Sequence, residues 1–356
     1  MFRCSRVSRL LLALAGFVVA SEVGGAPVQA SVEKDSTIGY VDLHVDLPYQ
    51  HNYKQASLMR GTGQFSAALA KKGGLSAVVF PLFVPFKVSN QGPRLSDFEQ
   101  SWQSMERSLD AQSTYAHPGT EPAAGQVRTF YSFEGMGPLG NDLPGLELWV
   151  HRGVRLFGLV HNQHNALAAS SMDPHGEDFG LTALGRRVVA RVYELGAVVD
   201  ISHASDRSAA DILKIAKTLG RPVVASHSNA RHLMDHKRNL SDQLLDGVAS
   251  TGGVIGVNFH SAFLVSGRRA TIDDVVAQVL YIARRVGFEH VAIGSDFEGG
   301  IRPPRALQTL GEVQHLVPAL RAAGVTDAQV RGILGGNALR ILMPSGQSEP
   351  AAQIPL

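Results

Sequence analysis

The sequence contains a single cysteine, Cys4, among its 356 residues. One cysteine cannot form an internal disulfide, so a disulfide-stabilised scaffold is excluded. Aromatic residues make up 7% of the chain and charged residues 18%, whereas hydrophobic residues make up 44%. This balance excludes an intrinsically disordered protein and supplies enough apolar side chains for a large buried core.

Long hydrophobic runs are also missing, except at the N-terminus. Elsewhere no apolar stretch approaches the about 20 residues that a membrane-spanning helix needs. At the N-terminus, three arginines precede an uncharged apolar run over 10–20, which is typical of an export signal. We predict a signal peptide over 1–30, cleaved after Ala30 or alternatively after Ala20. The protein would then be exported, either to the periplasm or into the medium.

The chain has no marked excess of charge of one sign. Lysine and arginine together number 33, and aspartate and glutamate together number 31. The predicted signal peptide contains three arginines and one glutamate, so its removal leaves 30 residues of each sign. No basic stripe with interleaved aromatic residues is present. We therefore expect no nucleic-acid partner.

Short apolar or β-branched runs alternate with helical patterns along the rest of the chain. Eight runs are strand candidates: 39–44, 75–83, 127–133, 154–160, 197–202, 222–226, 254–259 and 291–294. Several are apolar on successive residues, as in strands that are buried on both faces. Between them, apolar residues over 181–195 and 272–286 keep to one helical face. A capping box beginning at Thr326 predicts a final helix that runs to Leu342.

This alternation predicts an α/β fold, a (β/α)₈ barrel of the TIM type. The barrel would occupy 31–343 and be followed by a C-terminal tail over 344–356. An open doubly wound sheet is the alternative, but its nucleotide-binding version lacks support because no GxGxxG motif follows a strand. The polar stretch over 85–125 is interpreted as a long loop that contains one helix near 95–109.

Histidines and carboxylates follow several strand candidates, at the point where each strand ends. They are His44 and Asp46 after the first run, Glu134 after the third, His161 after the fourth, His203 after the fifth, His227 after the sixth and Asp296 after the eighth. Any one of these could be an ordinary loop residue. In a barrel, however, all of them would meet at the C-terminal rim, where active sites lie. Their repeated position therefore predicts one shared site.

So many imidazoles and carboxylates in one cavity would be electrostatically costly without a cation. A ligand set without thiolate suits zinc, manganese, iron or cobalt, and zinc is the usual choice for hydrolysis. Two histidine–carboxylate sets exceed one tetrahedral site, which predicts two Zn²⁺ ions that share a bridging carboxylate, with Mn²⁺, Co²⁺ or Fe²⁺ as alternatives. Such a pair generates hydroxide near neutral pH and polarises a carbonyl. Asp296 would be placed to shuttle the proton.

A set of short motifs in a fixed order extends this pattern along the chain. They are His44-x-Asp46-Leu-Pro48, Phe133-Glu-Gly135, His161-Asn162, Ile201-Ser-His203, Ser226-His-Ser228 with Arg238-Asn239, Gly253–Phe259, Ile293-Gly-Ser-Asp-Phe297 and Leu334-Gly-Gly-Asn337. Over essentially the whole region after the signal peptide, the chain resembles the membrane (renal) dipeptidases of the zinc-dependent amidohydrolase superfamily. It departs from that family at Leu43 and Val45, where Gly and Asn are usual.

The resemblance implies which residues hold the metal ions. One Zn²⁺ would be held by His44, Asp46 and Glu134. The other would be held by Glu134, His203 and His227. The implied activity is that of a metal-dependent dipeptidase.

The resemblance also implies roles toward the substrate. His161 and Arg238 would bind the substrate, His161 at the developing oxyanion and Arg238 at the terminal carboxylate. Asp296 would contact the substrate and carry the proton of the metal-bridging hydroxide to the leaving amine. The expected substrates are dipeptides, including those with a C-terminal D-residue.

Two other functions remain open at this point. One is a related hydrolase that acts on other small amides, lactones or esters, because the fold does not fix the substrate. The other is a non-catalytic barrel, which missing metal ligands would indicate, although none is missing. The C-terminus lacks the hydrophobic tail of a lipid-anchor signal, so we expect no membrane anchor in the mature chain. A homodimer is implied by the resemblance alone.

Overall fold

The computed structural model describes residues 39–57, 59, 63–86, 92–176 and 178–343. The predicted signal peptide and the predicted C-terminal tail lie outside these ranges. Within them, no helix combines the length and the apolar character needed to cross a membrane.

Eight parallel strands form one sheet in chain order. They are β1 (Tyr40–Asp42), β2 (Leu75–Phe83), β3 (Arg128–Glu134), β4 (Val154–Gly158), β5 (Val198–Asp200), β6 (Val223–Ala225), β7 (Val254–Val257) and β8 (Val291–Ile293). The sheet curls until its edges meet, where the Leu43 N–H donates to the Ile293 carbonyl at 3.0 Å. The prediction of a (β/α)₈ barrel is confirmed.

Helices lie between the strands and after the last one. They are α1 (Leu47–Lys54), α2 (Ala67–Gly73), α3 (Leu95–Asp110), α4 (Leu146–His151), α5 (Ala183–Glu194), α6 (Asp206–Leu219), α7 (Asp242–Ser250), α8 (Ser261–Leu264), α9 (Ile272–Val286), α10 (Leu316–Ala322), α11 (Asp327–Arg331) and α12 (Asn337–Leu342). The helices predicted over 181–195 and 272–286 are α5 and α9. The helix predicted near 95–109 is α3.

Side chains that alternate along the strands divide the core into two parts. The barrel interior is filled by one cluster: Val41, Leu43, Ala77, Val79, Phe130, Leu156, Val198, Val224, Val254 and Ala292. The neighbouring strand residues point outward and pack with the helices in a second, larger cluster. This division follows from the two-residue repeat of a β-strand. The interior is therefore a packed core and the site can lie only at an end.

Helix α12 closes the end of the barrel at which the strands begin. It adds Ile341 and Leu342 to the interior cluster. The Arg340 guanidinium donates to the carbonyls of Gly252 and Glu289, which precede β7 and β8, at 2.8 and 2.9 Å. The opposite end, where the strands finish, is left for the functional site.

Most strands end earlier than the sequence predicts. The first run was expected to reach residue 44 and the fifth residue 202, but β1 ends at Asp42 and β5 at Asp200. Beyond these points the backbone turns out of the ladder. His203 and Asp296 adopt the left-handed conformation, with φ of 69° and 66°. As the backbone leaves the sheet, it carries the polar side chains over the mouth of the barrel.

The predicted final helix is wrong as a single element. The capping box at Thr326 is present and opens α11, but a π-helical turn over Gly332–Gly336 separates α11 from α12. A Cβ atom on Gly335 would lie 3.1 Å from the Gly39 carbonyl oxygen. The turn therefore needs glycine because it packs closely on the backbone that leads into β1.

Candidate metal centre

The polar residues predicted at the strand ends converge on the C-terminal rim of the barrel. A cavity of about 340 Å³ opens there. Its wall includes Asp46, Glu134, His161, His203 and Asp296. His44 and His227 lie deeper, with exposed fractions of only 1% and 2%.

Glu134 lies at the centre of this group. Its Oε1 atom is 2.9 Å from Nε2 of His203 and 3.6 Å from Nε2 of His227. The Nε2 atoms of His44 and His161 lie 3.7 and 3.9 Å from the same oxygen. One carboxylate oxygen thus faces four imidazoles, which is the arrangement expected of a carboxylate that bridges cations.

A second group of ligand atoms lies beside the first. His44 Nε2 is 3.4 Å from Asp46 Oδ2. One ligand atom each from His44, Asp46 and Asp296 fall within 4.8 Å of one another. The same limit holds for His44 with Glu134 and His227, and for Glu134 with His161 and His203. His44 and Glu134 connect the groups, so the donors form one continuous cluster.

Hydrogen bonds fix the protons of two of the imidazoles. His203 Nδ1 lies 3.2 Å from Asn162 Oδ1, an amide oxygen that only accepts, so this nitrogen carries the proton. His227 Nδ1 lies 2.7 Å from Ser226 Oγ, whose own proton goes to Asp200, so His227 Nδ1 is the donor there. With a proton on each Nδ1, both Nε2 atoms present lone pairs, yet they are only 3.0 Å apart. Two facing lone pairs repel unless a cation lies between them. The donor set therefore fits a metal ion.

Burial keeps these two histidines neutral, as metal ligands must be. It holds the pKa of His203 and the pKa of His227 well below the usual histidine value, and nearby positive groups lower both further. His44 differs. Burial lowers its pKa, but Asp46 and Glu134 outweigh that effect and raise the pKa to about 10. The surroundings of His44 thus favour a positive charge.

The surroundings of the His44 ring also favour a metal ion in this cluster. Neither of its nitrogens has a hydrogen-bond partner among the described residues, although the side chain is buried. An unpartnered buried nitrogen costs free energy, about 1–3 kcal/mol for a typical polar group. A metal ion next to Nε2 would remove that cost.

Asp296 lies at the edge of the cluster, and its surroundings make the carboxylate a stronger base. Desolvation in the barrel mouth, followed by the negative charge of Asp46, raises the pKa of Asp296 well above its usual value. Asn258 Nδ2 donates to Asp296 Oδ2 at 2.9 Å. Asn258 directly follows β7, so it occupies the same position at a strand end as the predicted histidines and carboxylates.

Gly299 explains how the second group is packed so closely. A Cβ atom at this position would lie 2.3 Å from Asp296 Oδ1 and 2.4 Å from Asp46 Oδ2. Real atoms do not approach so closely, so any side chain here would displace one of the two carboxylates. The sequence pattern alone gives no indication of this requirement.

Arg238 is buried in the same cavity, with an exposed fraction of 4%. One guanidinium nitrogen donates to the His227 carbonyl at 3.3 Å. Within the described ranges, no carboxylate lies within ion-pair distance of the guanidinium. A buried cation with spare donors that faces a cavity is suited to an anionic ligand.

The remaining cavity wall is largely apolar and was missed in the sequence. Its apolar members are Tyr49, Phe83, Met172, Phe263 and Ile301. Phe83 is the last residue of β2, and the others come from segments that follow different strands, where no periodicity fixes which side chains point inward. Their positions could therefore not be predicted from spacing.

Two solved structures are similar to this chain in fold. A structure of a metallo peptidase from Rhodobacter sphaeroides, liganded with a phosphinate mimic of the dipeptide L-Ala-D-Ala, superposes with a TM-score of 0.75 at 25% identity. The match covers 86% of this chain and 99% of that one. The probable dipeptidase PvdM from Pseudomonas aeruginosa shares the fold, with a TM-score of 0.77 at 23% identity and coverage of 86% and 94%.

Sequence relatives point in the same direction. An uncharacterized dipeptidase of Schizosaccharomyces pombe is 36% identical over 222 residues, which is 61% of this chain and 53% of that protein. The chain thus matches about half the length of its curated relatives. The family model described as membrane dipeptidase matches residues 32–353. Since that match takes in every element of the barrel, the chain belongs to the membrane dipeptidase family, peptidase family M19.

Proposed function

We propose that the protein is a dinuclear zinc dipeptidase. The observation that supports this most directly is the placement of the Arg238 guanidinium in the same cavity as the ligand cluster around Glu134. A metal cluster alone would suit many hydrolases. A buried cation beside it selects substrates that carry a negative charge close to the bond to be cleaved.

The proposed ligands follow the two groups of donors. His44, Asp46 and Glu134 would hold one ion, and Glu134, His203 and His227 the other, with Glu134 shared. The short distances from Glu134 Oε1 to the imidazoles support the shared position. When bound, the two ions would supply an activated water and polarise the peptide carbonyl. Zinc is proposed from the donor types, which Mn²⁺, Co²⁺ or Fe²⁺ would also accept.

Arg238 and His161 would orient the substrate. Arg238 would hold the terminal carboxylate in a charge-assisted pair, so that the scissile carbonyl falls over Glu134. The His161 side chain is 30% exposed and stands over the cavity beside Phe83, with ring centres 4.5 Å apart. It would donate to the oxygen of the scissile carbonyl as negative charge develops there.

Asp296 would handle the proton. A carboxylate whose pKa is raised is a stronger base, so it can accept a proton near neutral pH and, once protonated, release it to a basic amine. The Asn258 amide fixes one of its oxygens, which leaves the other free to face the reacting groups. Asp296 would therefore accept a proton as the attack occurs and return it to the leaving nitrogen.

The cavity size limits the substrate. A volume of about 340 Å³ accommodates a short peptide and not a folded chain. The ligand of the Rhodobacter sphaeroides structure is a mimic of L-Ala-D-Ala, and we propose that dipeptides with a C-terminal D-residue are also substrates here.

A kinetic screen tests this function. The metal-loaded protein would be assayed on L,L-dipeptides, on L,D-dipeptides and on the C-terminal amides of both. We expect hydrolysis of the free dipeptides and slow turnover of the amides. Protein stripped of metal by a chelator is the control and should be inactive until Zn²⁺ is restored. Rapid cleavage of amides, lactones or esters would instead indicate a hydrolase of broader range.

We further propose that residues 1–30 act as an export signal and that the protein works outside the cytoplasm as a homodimer. N-terminal sequencing of the protein recovered from the periplasm or the medium would identify the cleavage site, after Ala30 or after Ala20. Sedimentation of the purified protein would give its oligomeric state. A protein that keeps its full N-terminus in the cytoplasm would contradict the export proposal.

A further inference from the structure

A buried chain of hydrogen bonds leads away from His227. His227 Nδ1 donates to Ser226 Oγ at 2.7 Å, and the Ser226 hydroxyl donates to Asp200 Oδ2 at 2.5 Å. The exposed fractions of Asp200, Ser226 and His227 are 5%, 0% and 2%. We call these three residues the Asp200 relay.

The protons of the Asp200 relay can be assigned from the donors available. Asp200 Oδ1 accepts the backbone N–H groups of Ser202 and Ser226 at 2.9 and 3.0 Å. An ionised carboxylate only accepts hydrogen bonds, so the Ser226 hydroxyl must donate to its other oxygen. The lone pair on Ser226 Oγ then accepts from Nδ1 of His227. The ring proton is thereby held on Nδ1, and Nε2 is left free toward Glu134.

The other imidazoles of the cluster lack such support. His203 Nδ1 donates to the neutral amide of Asn162, which is solvent-exposed. The nitrogens of His44 have no hydrogen-bond partner in the described part of the chain. A carboxylate behind an imidazole makes the opposite nitrogen a stronger ligand than a neutral partner does. The three histidines are therefore unequal, and His227 has the strongest support.

Asp42 offers an internal comparison on the other side of the barrel. Its Oδ1 atom accepts the N–H groups of His44 and Ser295 at 3.1 and 2.9 Å, the same pattern that Asp200 makes. Its Oδ2 atom, however, accepts the Tyr40 hydroxyl at 2.7 Å. Asp42 thus fixes backbone as Asp200 does, but no hydrogen bond leads from it to an imidazole.

We propose that Asp200, acting through Ser226, is a positioning residue that fixes the Nδ1–H form of His227 and strengthens the metal position that His227 serves. This inference rests on the proposed metal cluster. It adds that the two metal positions differ in affinity because, among the described residues, a carboxylate stands behind an imidazole at only one of them. Neither Asp200 nor Ser226 touches the metal or the substrate.

Two variants separate the relay from simple packing. Ser226→Ala removes the hydroxyl and leaves the Asp200 backbone contacts in place. Asp200→Asn reverses the direction of the relay. The new amide NH₂ donates to Ser226, whose hydroxyl then donates to Nδ1 of His227, so the ring proton moves to Nε2 and blocks the ligand. Asp42→Asn is the matched control, because it makes the same change at a carboxylate with no imidazole behind it.

The measurement is a titration of each metal-free protein with Co²⁺, followed by visible absorbance and by competition with a chelator. His227→Ala identifies the ion that the relay affects. We expect Ser226→Ala to weaken the binding of that ion by about 10–100-fold. Asp200→Asn should weaken its binding more. Asp42→Asn should leave both affinities near the wild-type values. Nitrogen NMR of labelled histidines should show a proton on Nδ1 of His227 in the metal-free wild type and on Nε2 in Asp200→Asn.

The outcomes are separable from those of the proposed function. If Asp200→Asn bound Co²⁺ with the same affinity as Ser226→Ala, the proposed relay would be wrong. A wild-type His227 with its proton on Nε2 would contradict it as well. A wild type that binds two Co²⁺ ions but cleaves no dipeptide contradicts the proposed activity and leaves the relay supported if the variants behave as expected. A wild type that binds no Co²⁺ overturns both.

Discussion

Asn258 and Asp296 follow adjacent strands, and the Asn258 amide donates to Asp296 Oδ2 at 2.9 Å. The contact orients the carboxyl group without neutralising it, since an amide carries no charge. It holds Asp296 in place and lowers the pKa of its carboxyl group, but burial and the charge of Asp46 outweigh that effect. Asp296 can consequently be altered chemically with little change of position.

Asp296→Asn tests the proton-carrying role. The variant keeps the size of the side chain and an oxygen that can still accept from Asn258, but it cannot take up a proton. We expect kcat to fall by about 10²–10⁴, with metal content little changed. Steady-state kinetics and elemental analysis on the same preparation measure both. Turnover near the wild-type rate would show that another group carries the proton.

Arg238→Met tests the substrate carboxylate. Methionine keeps part of the apolar stem but removes the guanidinium, and with it a contact worth about 1.5–3 kcal/mol. We expect kcat/KM for free dipeptides to fall roughly 10–150-fold. C-terminal amides serve as the control substrates, because they never use the contact and should change little. Equal losses on both substrates would mark Arg238 as a structural residue.

The metal content tests the cluster directly. Carefully loaded protein should contain two metal ions per chain, and either His203→Ala or His227→Ala should remove one of them, because each deletes a ligand of the same position. Elemental analysis of dialysed protein gives the ratio. A wild type with one equivalent or none would contradict the dinuclear proposal.

Gly299→Ala tests the close packing of Asp46 and Asp296. The added methyl group would meet both carboxylates at under 2.5 Å, so one of them must move. We expect weaker metal binding and a large loss of kcat. Gly300→Ala is the control, because its Cβ would meet no atom within 4 Å although its φ of 78° is unfavourable for alanine. That variant should lose some stability, about 1 kcal/mol, and keep its metal.

Asp274 gives a prediction about stability and pH, far from the cluster. Its carboxylate accepts from the Thr271 N–H at 2.8 Å at the start of α9 and from Arg268 at 2.6 Å. Partial burial raises its pKa, but the bonds from Arg268 and Thr271 outweigh burial and hold the pKa below its usual value. The stabilisation is therefore present above the unfolded pKa, about 3.9, and is lost as pH falls through the folded pKa.

Asp274→Asn should lower the free energy of unfolding by about 1 kcal/mol at neutral pH. The difference from wild type should shrink as the pH falls below about 4. Urea unfolding at neutral pH and at a pH below about 4 measures this difference in the free energy of unfolding. Asp273→Asn is the control, since the exposed Asp273 carboxylate also lies in the first turn of α9 but makes no such hydrogen bonds within the described part of the chain. Its loss of stability at neutral pH should be clearly smaller than that of Asp274→Asn. A difference for Asp274→Asn that does not change with pH would indicate packing and not charge.

The sequence predicted the barrel because its signal is repeated. Eight buried strands, each followed by polar residues, point to one architecture and one rim, as His203 and His227 show. The ends of the strands were less predictable, because the turn at His203 depends on a left-handed backbone. Few residues other than glycine adopt it, and although histidine does so more often than most, the residue type alone does not indicate it. The role of Gly299 depends on distances between loops, which spacing along the chain does not encode.

The Asp200 relay could not be predicted from the sequence, for a different reason. Asp200 is the last residue of β5 and lies three positions before His203. Its side chain nevertheless reaches across to Ser226, which directly follows β6, and so supports His227. The pairing of β5 with β6 brings these groups together. Spacing along the chain does not encode which histidine such a carboxylate supports.

The closure of one barrel end by α12 limits how small molecules can reach and leave the cavity. The barrel interior is filled by apolar side chains and α12 covers its far end, so the described part of the chain offers no passage through the barrel. In the proposed reaction, substrate would therefore enter and both products would leave by the same mouth.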